Sequence, residues 1–166
     1  MTSYFMEKLG QHGKGSMAPE ECVFCDIVAR RQQAFIVYED ASTMAFLDVL
    51  PIRPVIPKMH VAHITQLESV QAADLMQSIV RVARAMEKAF RMPGLQVGGN
   101  QVYGQVVDHV HFHIVPAPPE SSSPLYKWKR EPPKMVIPGH RDQLSDEEGE
   151  ELCALLRNAV QPSSHL

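Results

Sequence analysis

The chain is poor in the features that would make it a disulfide-stapled, membrane-spanning or nucleic-acid-gripping protein. Only three cysteines occur, Cys22, Cys25 and Cys153. That is too few for a disulfide framework, so a reducing intracellular compartment, cytoplasmic or nuclear, is expected. No apolar run approaches the ~18 residues of a membrane span. Met1 to Ser16 lacks the apolar stretch of a secretory signal, and Gly10, Gly13 and Gly15 mark residues 1–20 as a flexible arm. Positive charge is not in excess. A net charge of -3 and a pI near 6.2 argue against a protein whose main task is to grip a nucleic-acid backbone. A small phosphorylated ligand stays compatible, because local groups rather than net charge would bind it.

What the chain does have is enough apolar content for one buried core. Its 166 residues are 45% hydrophobic, which fits one domain with tails. The most informative stretch is His109-Val110-His111-Phe112-His113-Ile114-Val115. Alternation of imidazole with apolar side chains is the period of a β-strand, so the three histidines share one face. Val110, Phe112 and Ile114 would face the core, leaving the imidazoles roughly 6.5 to 7 Å apart on the exposed side. A core gains nothing from three polar rings in a row. The spacing suits a phosphate or a metal ion, and histidine commonly serves as acid, base or ligand.

Other elements follow from local pattern. A short helix is expected from about Glu21 to Arg31, with Cys22-Val23-Phe24-Cys25 near its start. That spacing is half a zinc site, and no second C-x-x-C completes it. The alternative is a reduced, partly buried pair packing as small hydrophobes. Phe35 to Tyr38 and Thr43 to Leu47 predict two strands joined by a turn at Glu39-Asp40. Asp48 follows directly, either as a ligand-binding carboxylate or as a plain turn residue. Pro51, Pro54 and Pro57 reduce the next segment to an irregular loop and at most a short strand.

The long helix runs from about Ser69 to Phe90. Its wide apolar stripe is Val70, Ala73, Leu75, Met76, Ile79, Val80, Val82, Ala83, Met86 and Phe90, with the methionines as core filler. Pro93-Gly94 stops it. Leu95 to Val97 begins a strand, Gly98-Gly99-Asn100 turns it, and β character resumes near Val106. The order implies an α+β domain, an antiparallel sheet of about five strands with one long helix packed on it. The domain covers 21–118, a Pro-rich linker 119–144, and a C-terminal helix 145–161 opens on the capping box Ser145-Asp146-Glu147-Glu148. Tyr126, Lys127, Trp128, Lys129 and Arg130 interleave aromatics with positive charge, which reads as a tail packing on the domain before it reads as a nucleic-acid contact.

In combination these residues resemble the histidine triad (HIT) family. His109 to Val115 matches its His-φ-His-φ-His-φ-φ signature, with φ apolar, and Gly104-Gln105-x-Val107-x-His109 matches the segment before it. Cys22-x-Phe24-Cys25-x-Ile27-Val28, Tyr38-Glu39-Asp40, Ala45-Phe46-Leu47-Asp48 and Val55-Ile56-Pro57-Lys58-x-His60 agree as well. The branch most similar is the small nucleotide-binding phosphoramidase type. That resemblance implies a homodimer with joined sheets, a purine nucleotide or nucleotide conjugate as ligand, and hydrolysis at the α-phosphorus. His111 would be the nucleophile, His113 would hydrogen-bond phosphate, and Gly104, Gln105 and Val106 would offer backbone donors. Asp48 would hold the ribose, and Phe24 and Ile27 would line the base pocket. It also implies structural zinc on Cys22, Cys25, His60 and His109, or else a role for His109 in orienting His111. The alternative function is a non-catalytic nucleotide-binding or scaffold protein that keeps the fold. A cupin-type oxygenase also places His-x-His on a strand, but the Glu it needs a few residues later is replaced by Ala117 and Pro118.

The chain departs from the family in two places. Between Pro54 and Val55 the family carries about four more residues, of the form Gly-His-x-Leu, which is about 13 Å of extended strand. The central strand is therefore expected to be truncated or forced in its register. Thirteen residues before His111 the family commonly has an Asn, and this chain has Gly98; Val106 likewise replaces a residue that is often polar.

Overall fold

Turn chemistry and alternation build the first hairpin. The computed structural model describes residues 21–47, 53–91, 94–116 and 145–160. Strands β1 (Phe35–Glu39) and β2 (Thr43–Leu47) pair antiparallel, with a bulge between Ile36 and Tyr38. Asp40 locks the turn. Its carboxylate accepts the Tyr38 hydroxyl at 2.7 Å, the Thr43 amide at 2.7 Å and the Ser42 amide at 3.0 Å. Burial pushes its pKa up, but these donors outweigh burial and hold it at about 2.

The sheet order is β1-β2-β3-β5-β4, antiparallel throughout, with β3 at Arg53–Pro57, β4 at Leu95–Gly98 and β5 at Phe112–Pro116. The short β3 is the central strand despite Pro54 and Pro57. It can be so because it is hardly longer than its pairings: β2 meets it over Val55–Pro57 and β5 over Arg53–Val55.

Helix α2 runs Ser69–Phe90, as the periodicity predicts, and ends on Arg91 in the left-handed conformation. Its stripe divides. Leu75, Ile79, Val82, Met86 and Phe90 are buried against Val37, Ala45, Leu47, Val55 and Ile114. Val70, Ala73, Met76 and Val80 lie exposed on another side, so Met76 is not core filler, whereas Met86 is. Helix α3 (Asp146–Ala159) keeps the expected capping box and adds Leu152, Cys153 and Leu156 to the same core. Among the described residues no helix is long and apolar enough to cross a membrane. The expected arm at 1–20 and linker at 119–144, with Tyr126, Lys127, Trp128, Lys129 and Arg130, lie outside the described residues, as does Asp48.

The opposite face of the sheet is also covered. Helix α1 spans only Val23–Val28, shorter than the expected 21–31, because Cys22 is extended and Arg30 adopts a positive φ of 60°. Val23, Phe24 and Ile27 pack on Met44, Phe46, Ile56 and Val107. Every residue of β2 is consequently buried, Ala45 and Leu47 toward α2 and Met44 and Phe46 toward α1.

Candidate active site and metal cluster

The histidine segment is regular strand only from Phe112. Residues before it are held by other bonds: the His109 amide donates to the Val107 carbonyl at 2.8 Å and the Val110 amide to the Val61 carbonyl at 2.7 Å. The alternation survives this irregularity, with Val110 and Ile114 on the α2 side as expected. The expected open face for the imidazoles is corrected by the structure. Helix α1 lies over it, leaving His109 0% and His111 6% exposed, with His113 half-buried.

His109 sits in a cluster with Cys22, Cys25 and His60, whose ligand atoms all lie within 4.8 Å of one another. Cys25 Sγ is 3.2 Å from His60 Nδ1, and His109 Nδ1 is 3.5 Å from Cys22 Sγ and 3.7 Å from Cys25 Sγ. Metal–sulfur and metal–nitrogen bonds of about 2.3 and 2.05 Å in a tetrahedron put sulfur and nitrogen about 3.5 Å apart. These residues therefore fit zinc. The tautomer fits too: His109 Nε2 lies 2.8 Å from the Pro57 carbonyl, which only accepts, so Nε2 carries the proton and Nδ1 turns its lone pair to the sulfurs. Burial and the adjacent Cys22 push the Cys25 thiol up to about 12. Burial likewise brings His109 down to about 4. Four protein ligands leave no open position, the pattern of a structural rather than a catalytic metal.

His111 faces a different environment. Its Nδ1 is 2.6 Å from the His109 carbonyl and must donate to it, so Nε2 keeps a free lone pair. Burial lowers its pKa below the ordinary histidine value, partly offset by that bond, and the ring is neutral at pH 7. His113 stacks edge-on at 4.9 Å, and burial, then His111, bring it down to about 4. His113 Nδ1 is buried and has no hydrogen-bond partner among the described residues.

A cavity of about 70 Å³ opens beside His111, lined by Ala62, Ile64, Gly99, Asn100, Gln101, Gln105, Val110 and Phe112. Of the three expected backbone donors only Gln105 lines it. Gly104 turns the loop at φ 72°, and Val106 is exposed. The Gln105 side chain is a brace that spacing does not reveal: Nε2 donates to the carbonyls of Ala62 and Val107, and Oε1 accepts from the Val102 amide. Gln101 adds a second brace, accepting the Ile64 amide at 2.7 Å. Gly99 is required by close approach, since a Cβ there would stand 2.8 Å from the His111 carbonyl oxygen. Phe24 and Ile27 are buried in the cluster under α1 and do not line the cavity.

An open antiparallel sheet with a neutral, tautomer-fixed histidine beside a small cavity, and a thiol–imidazole cluster one residue away, defines the histidine triad class of fold. The HIT domain model matches residues 29–120, more than half of the chain, and the chain belongs to that family. It is 35% identical over 115 residues to an adenosine 5'-monophosphoramidase of Schizosaccharomyces pombe, covering 67% of this chain and 85% of the relative. It is 34% identical over 103 residues to Protein hit of Bacillus subtilis, covering 58% and 71%. Among solved structures, a hypothetical histidine triad nucleotide-binding protein from Sulfolobus tokodaii superposes with a TM-score of 0.70 at 27% identity, covering 84% of this chain and 91% of that one. A Zn-bound histidine triad family protein from Mycobacterium smegmatis does so at 0.64 and 26%, covering 86% and 95%.

Proposed function

We propose that the protein is a nucleotide hydrolase acting at the α-phosphorus of nucleoside phosphoramidates or related conjugates. The observation that carries this reading is the fixed tautomer of His111, a neutral imidazole with its Nε2 lone pair free beside a small cavity. Nε2 attacks phosphorus, the bond to the amine breaks, and the amine departs with the electron pair and takes up a proton. Water then cleaves the nucleotidyl-imidazole and restores the ring. His113, whose Nδ1 lacks a partner among the described residues, hydrogen-bonds a phosphate oxygen. Amides of Gly104, Gln105 and Val106 support the charge that builds on the equatorial oxygens. Asp48 binds the ribose. Relatives named adenosine 5'-monophosphoramidase support the same chemistry.

Cys22, Cys25, His60 and His109 would hold zinc, which supplies a cross-link and neutralises two thiolates. The exposed side of α2 and the edge of β4, which pairs with no further strand among the described residues, are the surfaces on which two copies would pair, joining their sheets. Such a thiol site belongs in a reducing compartment, cytoplasmic or nuclear; a tagged protein found only in a secretory organelle would refute that placement.

Turnover of adenosine 5'-phosphoramidate tests the central reading. His111→Ala is expected to lose at least about 10³-fold in kcat while still binding AMP. Equal turnover by wild type and His111→Ala, with AMP bound by both, would leave a nucleotide-binding protein and no enzyme.

A further inference from the structure

Helix α1 has six residues and no side-chain bond at its N-cap. An isolated helix of that length does not hold itself in water. What fixes it is tertiary. Cys22 and Cys25, at its N-terminal end, reach His109 and His60, and the Phe24 side chain between them is buried. The Phe24 ring stands edge-on to three others: Phe46 at 5.4 Å, His109 at 5.8 Å and His111 at 5.3 Å, with interplanar angles of 66°, 70° and 80°.

His109 is held at three points. Nδ1 points to the sulfurs, Nε2 donates to Pro57, and its carbonyl accepts from His111 Nδ1. Besides the His113 ring on the same strand at 4.9 Å, the orientation of His111 depends on two supports, and both belong to the thiol–imidazole cluster. One is the carbonyl of a cluster histidine. The other is a ring carried between the two cluster cysteines.

We infer that Phe24 is a positioning residue for His111, and that metal bound by Cys22, Cys25, His60 and His109 controls the nucleophile by clamping α1. With zinc in place, the Phe24 ring and the His109 carbonyl together hold His111 in the Nδ1–H tautomer. Without it, α1 is released and both supports relax together. The Zn site and the chemistry at phosphorus are then one mechanical unit, although no metal touches substrate. The effect on turnover rests on His111 being the nucleophile; the effect on its tautomer does not.

The test uses full-length protein labelled with 15N-histidine, read by long-range proton–nitrogen spectra and by turnover of adenosine phosphoramidate. The samples are zinc-loaded wild type, wild type stripped of metal, and zinc-loaded Phe24→Leu and Phe24→Ala. Loaded wild type should show His111 as a single Nδ1–H tautomer. Stripped protein and Phe24→Ala should show averaged nitrogen shifts, with kcat lower by about 10-fold or more and KM little changed, since a small misplacement of a reacting group costs rate. Phe24→Leu, which keeps apolar volume but not the ring edge, should fall between while retaining a full equivalent of zinc. A single unchanged tautomer and unchanged kcat in the stripped protein, or in Phe24→Leu should stripping unfold the chain, overturns the inference. Absence of turnover in every sample would count against the hydrolase reading alone, with the tautomer still deciding this one.

Discussion

At the scale of single residues, one hydrogen bond apiece separates the fates of His109 and His111. His109 gives its proton from Nε2 and keeps Nδ1 for the sulfurs; His111 gives its proton from Nδ1 and keeps the lone pair of Nε2. The same side chain thus presents its lone pair from Nδ1 in one case and from Nε2 in the other, according to which nitrogen meets a carbonyl. Gly98 shows what a missing side chain does. It pairs with His113 across β4 and β5, so a side chain there would share the face of the imidazole, and a Cβ would meet nothing within 4 Å. Gly98→Asn should therefore fit without strain and supply the donor that the family resemblance leads one to expect at this place. Steady-state kinetics on adenosine phosphoramidate should show kcat/KM rising about 10-fold or more, as expected for one added donor at a charged transition state. No gain in a well-folded variant would mean that Asn100 or another group already fills that role.

At the scale of elements, local signals were legible where one physical cause dominated. The 22-residue α2, the Asp40 hairpin and the α3 capping box all follow from period or turn chemistry that needs no distant partner. The triad and the C-x-x-C were legible for a similar reason, since their residue types are costly to bury without a task. Three things were not legible. Proline normally excludes a central strand, yet β3 is central because few of its backbone groups need pairing on either side. The histidines are covered because α1 folds across them, and its position depends on residues far along the chain. The stripe of α2 was one stripe in sequence and two faces in space, because periodicity gives an angle and not a partner. The cap on α3 yields a direct expectation. Ser145 accepts the Glu148 amide at 3.2 Å while Glu148 accepts the Ser145 amide at 3.0 Å. Ser145→Ala should cost about 1 kcal/mol in urea unfolding, with hydrogen exchange rising first in α3; exchange unchanged in α3 would show that packing alone holds it.

At the scale of the whole molecule, the sheet divides two tasks between its faces. One face carries the core with α2 and α3; the other carries α1, the cluster and the histidines. The exposed Val70, Ala73, Met76 and Val80 belong to the first face, away from the chemistry. Introducing a charge at Val80, which is 40% exposed, should dissociate a dimer built on α2 while leaving the monomer folded. Sedimentation of Val80→Glu should give a monomer with native circular dichroism. A variant that still sediments as a dimer would move the interface elsewhere.

The far edge of the sheet limits what such pairing can build. On β1 the Ile36 carbonyl, which would otherwise await another strand, receives the Cys153 thiol at 3.0 Å and Arg157 Nε at 2.6 Å, both from α3. Beside it the backbone bulges. A sheet with two open edges can add copies without end, as fibres do; one with a single open edge is self-terminating. By taking the Ile36 carbonyl of β1, the C-terminal helix blocks strand addition at that point, so the sheet pairing proposed for two copies would be directed to β4.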